Sequence, residues 1–343
     1  MERVVNCMHV KIDENSSFIY LEDIELMFAA QSILQDEPVH DLCSQIYGPD
    51  SIAAQKRKYH FLHEVFKTLE PNFVHGMLEP LLTYPLADFT LDEYRRHLQQ
   101  MEPAEFIQLF FSLTDTNTAD IANAINNDKA LEALYFDRPY LCNSYLGFQS
   151  LLRQSQRYIE EYFSLAEELR TEAFAEMIKA AGPNVTELLD KVKGGLKDMP
   201  YLEFSQQLMG KTFRNRGPYA SFTFSPSLFL PYRALRLFGR DQILFVSIRP
   251  KTLRDEEILG QLKAIADSTR FKIISLLGEN SPLRGLDIAE ALSLAPSTVS
   301  HHMEQLKQAG LITEEQVKNS KYYSLSKNNI QALISRLSET LGK

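Results

Sequence analysis

Apolar residues recur along the chain first at short, alternating intervals and then at every third or fourth position, and the change of period marks out the elements. Val5, Met8, Val10 and Ile12 are separated by polar groups, which predicts a short strand, and Asp13 to Ser17 reads as a turn. From Phe18 onward the period lengthens. Ile24, Met27/Phe28 and Ser32/Ile33 recur at intervals of three to five residues, the mark of an amphipathic helix. Helical spacing then continues almost to residue 210, as in Tyr59-Leu62-Val65-Phe66-Leu69, Tyr94-Leu98-Met101 and the run from Leu151 through Ile159, Phe163, Leu165 and Leu169. Pro71, Pro80, Pro85, Pro103, Pro139, Pro183 and Pro200 punctuate these segments. Pro103-Ala104-Glu105 makes a typical first turn, with its acid where the helix dipole favours it. Gly194-Gly195 reads as a hinge that ends a helix.

Residues 217–232 change texture to Pro, Ser, Phe and Tyr, and Gln242 to Ile248 reads as a buried strand, apolar on both faces and stopped by Arg249-Pro250. A small sheet joining it to the N-terminal strand is expected. The best boundary falls near Pro250. The fold class is therefore mainly α with small β elements: residues 1–250 form a large helical domain with a short strand at each end, and residues 251–343 form a second domain.

The second domain can be read element by element. Leu259, Leu262, Ile265 and Ala266 share one helix face, and Asp267 or Ser268 can cap a following helix over Thr269 to Leu277. That helix is expected to bury Phe271, Ile273, Ile274 and Leu277 and to stop at Gly278. Leu286 to Leu292 is a short helix, Ser293-Leu294-Ala295 a turn, and Pro296-Ser297 opens a helix that closes at Ala309-Gly310. Two short helices across a three-residue turn make a helix-turn-helix. Val299, Met303 and Leu306 face the core, which leaves Ser297, Thr298, Ser300 and His301 on the N-terminal face that enters a major groove. His302 lies beside the core positions and reads as structural. Leu311 to Val317 and Lys321 to Leu325 alternate like strands around the polar tip Lys318-Asn319-Ser320, a wing suited to phosphates. Asn329 to Leu341 is a final amphipathic helix.

Ala264 to Arg270, Ser297 to Met303 and Ala309-Gly310-Leu311-Ile312 together resemble the ArsR (arsenic-repressor-like) winged-helix family, over about the last quarter of the chain. The resemblance implies a homodimer, with the first and last helices of the domain (about 255–266 and 329–341) at its interface, bound to an imperfect palindrome. It further implies base contacts from Ser297, Thr298, Ser300 and His301, with Arg270, Lys318, Lys321 and Tyr323 near phosphates. Two departures stand out. Pro282 to Ile288 contains no cysteine and residues 329–343 no histidine, so the metal-sensing positions of many relatives are missing. The long helical region ahead of the winged helix resembles that of long-form members.

Charge and cysteine content refine this picture. The net charge is −9, but residues 261–343 hold ten Lys/Arg against eight Asp/Glu, which leaves −11 on residues 1–260. The acidic part is therefore expected to carry sensing or dimerisation. Cys7, Cys43 and Cys142 are far apart, no run of eighteen apolar residues occurs, and no secretory leader is legible, which together fit a protein of the reducing cytoplasm without a membrane span.

Other candidates are weaker. Met209-Gly210-Lys211-Thr212 imitates the end of a phosphate loop, but the glycine required five residues earlier is Ser205. His60, His63 and Glu64 lack the second histidine of a zinc-peptidase motif at Lys67. Tyr219, Phe222, Phe224, Phe229 and Tyr232, with Arg214, Arg216 and Arg233 nearby, offer two readings. They either line a pocket for an aromatic or anionic effector, with Tyr219, Phe222, Phe224 and Arg233 at its centre, or pack the N-terminal domain onto the winged helix, and packing is favoured. The expected protein is a DNA-binding transcriptional regulator, a repressor acting as a homodimer on a palindromic operator of double-stranded DNA. It would be controlled by an unidentified small-molecule effector, with no cofactor, no metal and no enzymatic activity. The alternative is an enzyme or protein-interaction domain fused to a winged helix.

Overall fold

The computed structural model describes residues 7–35, 42–70, 73–87, 89–213, 219–230, 234–248, 251–317, 320–326, 330, 333–334 and 337. The chain forms two compact units that do not follow its order: Met1–Val185, Tyr219–Pro231 and Arg236–Ser247 make the first, and Thr186–Pro218, Tyr232–Leu235 and Ile248–Lys343 the second.

The first unit begins with an antiparallel hairpin of β1 (Cys7–Lys11) and β2 (Ser16–Leu21). β2 was not expected, because Phe18 to Leu21 is buried on both faces and so shows no alternation to set it apart from a helix start. A helical body follows: α1 (Glu22–Leu34), α2 (Leu42–Tyr47), α3 (Pro49–Lys58), α4 (His60–Phe66), a 3-10 turn at Glu79–Leu82, α5 (Leu91–Gln100), α6 (Pro103–Phe110), α7 (Thr118–Asn126), α8 (Asp128–Asp137), α9 (Tyr145–Arg153), α10 (Ser155–Glu168) and α11 (Glu172–Asp198). Pro103 opens α6 as expected. Pro183 instead lies inside α11, and Gly194 and Gly195 do not end that helix. A Cβ at residue 195 would run into the Phe204 ring, so close packing accounts for that glycine. Tyr94, Tyr158, Tyr162, Phe106, Phe110 and Phe148 fill the centre of the body at 1% exposure or less. The buried hydroxyls of Tyr94 and Tyr162 donate to the Met77 and Met27 carbonyls at 3.1 and 2.8 Å.

α12 (Tyr201–Met209) ends at Gly210, whose left-handed φ of 65° suits a residue without a Cβ. β3 (Lys211–Phe213) follows directly, so the look-alike phosphate loop runs from helix to strand, the reverse of the order that motif needs. β4 (Ser221–Ser227), β5 (Ala234–Phe238) and β6 (Asp241–Ser247) complete a five-stranded sheet in the order β1-β2-β4-β6-β5. The N-terminal strands and β6 do share this sheet, but β4 lies between them, parallel to both β2 and β6.

The rest of the second unit comprises α13 (Lys251–Ile265), α14 (Ser268–Asn280), β7 (Leu283–Arg284), α15 (Gly285–Leu292), α16 (Pro296–Gln308), β8 (Ile312–Val317) and β9 (Ser320–Leu325). α14 runs past Gly278 to Asn280, and Phe271 is 55% exposed rather than buried. Ile273, Leu277, Ile288, Val299, Met303, Leu306 and Leu311 form the core, against which Ile258, Ile330 and Leu337 pack. This is a winged helix, with one addition. β3 pairs parallel to β8, so the wing sheet has four strands in the order β3-β8-β9-β7. Ile330, Leu333, Ile334 and Leu337 are helical, while the remainder of the helix expected over 329–341 lies outside the described residues.

Candidate nucleic-acid interface

Short-range chemistry fixes the three helices that build the candidate interface. Asp267 caps α14, its Oδ1 accepting from the Arg270 amide at 2.9 Å, and that bond holds the carboxyl below its usual range. Asp287 closes the first turn of α15 by accepting from the Arg284 amide (3.1 Å) and from its guanidinium (2.6 and 3.0 Å). α15 ends at Ser293 in the left-handed region (φ 54°), and after Leu294 and Ala295 the Pro296 ring starts α16, where its missing N–H costs nothing.

Burial along α16 follows the expected face. Val299, Met303 and Leu306 are at most 1% exposed, and Ser297, Thr298, Ser300 and His301 are all exposed on the other side. The Ser300 hydroxyl donates to the Pro296 carbonyl at 2.9 Å, and His301 Nε2 lies 3.1 Å from Gln305 Nε2. His302 is partly buried, with Nδ1 4.0 Å from Asp267 Oδ1.

The residues expected near phosphates are placed differently from one another. Arg270 turns inward. Its guanidinium donates to the Ala264 carbonyl (2.7 Å), the Lys263 carbonyl (3.2 Å) and the Gln305 side-chain oxygen. Tyr323 is 9% exposed within the core, opposite Glu314 on β8, and burial, with Glu314 adding, pushes its hydroxyl up. Lys321 is half-exposed, and its Nζ lies 3.4 Å from Glu314 Oε2. Lys307 approaches the same oxygen at 3.3 Å. Burial works against the Lys307 ammonium, but Glu304 and Glu314 more than offset it and its pKa is raised. Lys318 lies outside the described residues. Sequence reading missed Gln305, whose partner Arg270 lies 35 positions away, and Glu314, whose partners Lys307 and Lys321 each lie seven positions away on a neighbouring element.

In the first unit Phe222, Phe224 and Phe229 are interior. Phe222 and Phe224 are 0% exposed with ring centroids 5.0 Å apart, and Phe229 stacks on Phe174 at 5.5 Å. Among the described residues a cation that meets these rings is Arg236, which sequence reading did not single out. It is 5% exposed, lies 5.0 Å from Tyr219 and 4.9 Å from Phe222, and donates to the Gln242 side-chain oxygen at 2.9 Å. Tyr232, Arg233, Arg214 and Arg216 lie outside the described residues. An open polar cleft of about 430 Å³ between α1, α5 and α10 has its charges matched internally, Arg170 pairing with Asp23 and Glu167 at 2.9 Å each. Among the described residues no group of three His, Cys, Asp or Glu is placed to hold a metal ion.

Charge divides along the spatial units. The second holds 20 Lys/Arg against 15 Asp/Glu, a balance of +5, and the first 16 against 30, or −14. Residues 267–314 match the model of the bacterial regulatory protein, arsR family. The transcriptional repressor SdpR of Bacillus subtilis is 37% identical over 81 residues, which span 24% of this chain and 89% of that protein. The chain belongs to the ArsR family. Other ArsR-family matches include the HTH-type regulator NmtR of Mycobacterium tuberculosis, 32% identical over 25% of this chain and 74% of that protein. The transcriptional activator HlyU of Vibrio cholerae is 30% identical over 22% of this chain and 69% of that protein. The similarity to ArsR-family proteins thus covers the winged helix, about a quarter of the chain. No described helix is long and apolar enough to cross a membrane.

Proposed function

We propose that this ArsR-family regulator is a repressor that binds a palindromic operator in duplex DNA as a homodimer and occludes a promoter. Residues 251–343 would be the DNA-binding part, and the acidic residues 1–250 would carry sensing of a small-molecule effector and contribute to dimerisation. One observation carries the reading: α16 anchors one face in the core and leaves Ser297, Thr298, Ser300 and His301 exposed on the other. These are short donors and acceptors of the kind that read base edges from a recognition helix. The name of SdpR favours repression.

Dimerisation is supported by Leu259 on α13 and Ile334 on the last helix, 54% and 50% exposed, which a second copy would cover. An effector acts, in this reading, by favouring a conformation in which the two recognition helices no longer sit about one DNA turn (~34 Å) apart.

The test uses the full chain and a duplex selected by it from a random pool. Ser300→Ala with His301→Ala lowers affinity for that duplex by roughly 1–3 kcal/mol per lost contact and leaves binding to a scrambled duplex unchanged. Unaltered binding of the selected duplex by the double variant would show that this face is not the reader.

A further inference from the structure

We propose that Gln305 is a positioning residue that fixes the tautomer of His301 and so decides which base edges the recognition helix can read. This rests on the reading of His301 as a base contact. The chemistry follows from donor and acceptor types alone. Arg270 is anchored on the last carbonyls of α13, Lys263 and Ala264, and its remaining terminal nitrogen bonds the Gln305 side chain. A guanidinium has only donors, so the Gln305 atom that faces it is the carbonyl oxygen. The amide nitrogen of Gln305 is thereby turned to the other side, 3.1 Å from His301 Nε2. An amide nitrogen also only donates, so Nε2 accepts, and a neutral imidazole with a bare Nε2 carries its proton on Nδ1.

The exposed His301 ring is left with one hydrogen-bonding group for DNA, the Nδ1–H donor. In a major groove that donor matches O6 and N7 of guanine, N7 of adenine or O4 of thymine. It mismatches the amino groups of cytosine and adenine. The clamp also spans three helices: α13 supplies the carbonyls, α14 the arginine, and α16 both the glutamine and the histidine. Arg270, half-buried, acts in it through Gln305 and needs no phosphate to do so.

The experiment uses the full chain labelled with nitrogen-15 at histidine, and the same selected and scrambled duplexes. In the wild type the His301 ring is expected to show Nδ1 protonated and Nε2 bare. Gln305→Glu, which offers Arg270 and His301 only acceptors, moves the proton to Nε2. Gln305→Leu weakens binding of the selected duplex by about fivefold, part of the roughly tenfold that one lost base contact costs. It leaves binding of the scrambled duplex unchanged, and it adds nothing in a His301→Ala background.

Protonated Nε2 in the wild type, or a tautomer that Gln305→Glu does not move, would overturn the proposal. So would Gln305→Leu binding like wild type while His301→Ala loses affinity. If His301→Ala itself binds like wild type, the base-contact reading falls, whatever the ring spectrum shows.

Discussion

Glu22, Asp23 and Glu25 sit within one turn of α1, and only the last is sealed from solvent, at 1% exposure. Glu25 accepts from the Ser227 hydroxyl (2.9 Å) and from the Leu228 and Phe229 amides (2.8 and 3.2 Å), bonds that favour its charged form. Burial outweighs them and pushes the carboxyl up from 4.5 to about 7. The folded-state value lies above the unfolded one, so folding takes up a proton between the two. Its stabilising contribution is present below about pH 4.5 and is lost as pH rises through about 7. Urea unfolding of the wild type and Glu25→Gln across that range should show the wild type losing about 3 kcal/mol relative to the variant. Glu79, pushed up to about 7 by burial, and His75, pushed down to about 4, titrate in both proteins and cancel from the difference. A difference independent of pH would mean that Glu25 ionises as freely folded as unfolded. Nothing in the spacing of the three acids tells them apart, because the donors that hold Glu25 come from residues about two hundred positions away. Arg270 and Tyr323 were illegible too, although their neighbours lie closer in the chain. The sequence places each on the right element, but whether the side chain turns to solvent or to a carbonyl depends on a neighbour that local pattern does not name.

Elements with a clean period were legible, and those without one were not. The apolar stripe of α16 has one face only, and the structure seats Val299, Met303 and Leu306 where spacing put them. Met303→Ala is expected to cost roughly 2–5 kcal/mol in chemical denaturation, since it empties a site that is 1% exposed. Met303→Leu, close in volume, should cost under about 1.5 kcal/mol. Equal stability of all three proteins would mean that this face is not packed. β2 and β4 escaped notice because they are buried on both faces and carry Ser and Pro where a strand of ordinary alternation carries Val or Ile. The run from Leu151 to Leu169 reads as one helix, yet α9 and α10 are separate, divided at Gln154, whose ψ of 32° leaves the helical region. Conversely Pro183 looks like punctuation and is not, which is affordable where neighbouring turns hold the helix on both sides of the missing hydrogen bond.

At the scale of the whole molecule, charge and composition indicated two parts but not how the chain shares them. The −14 and +5 balances emerge only when residues 186–218 are grouped with the winged helix, a grouping that contiguous sequence does not reveal. A dimer built on the second unit carries twice its positive balance to DNA, so the logarithm of affinity should fall linearly with the logarithm of salt concentration. Sedimentation equilibrium of the full chain checks the assembly. The wild type is expected as a dimer, and Leu259→Asp combined with Ile334→Asp as a monomer, since each places a charge in the apolar surface that the second copy would cover. A dimer that survives both charges would move the interface away from α13 and the last helix.

The fourth wing strand has a consequence for anyone who would cut this protein to the length of its relatives. A fragment beginning at Lys251 keeps every helix of the winged fold and discards β3, leaving β8 with a row of unsatisfied amides and carbonyls open to any passing strand. Hydrogen exchange at the β8 amides that face β3 should be slow in the intact chain and fast in the fragment, while those that face β9 stay slow, and the fragment should self-associate as concentration rises. Residues 211–213 thus belong to the wing sheet although they precede the winged helix in sequence, and a shorter chain would have to replace that strand or blunt the exposed margin with charge.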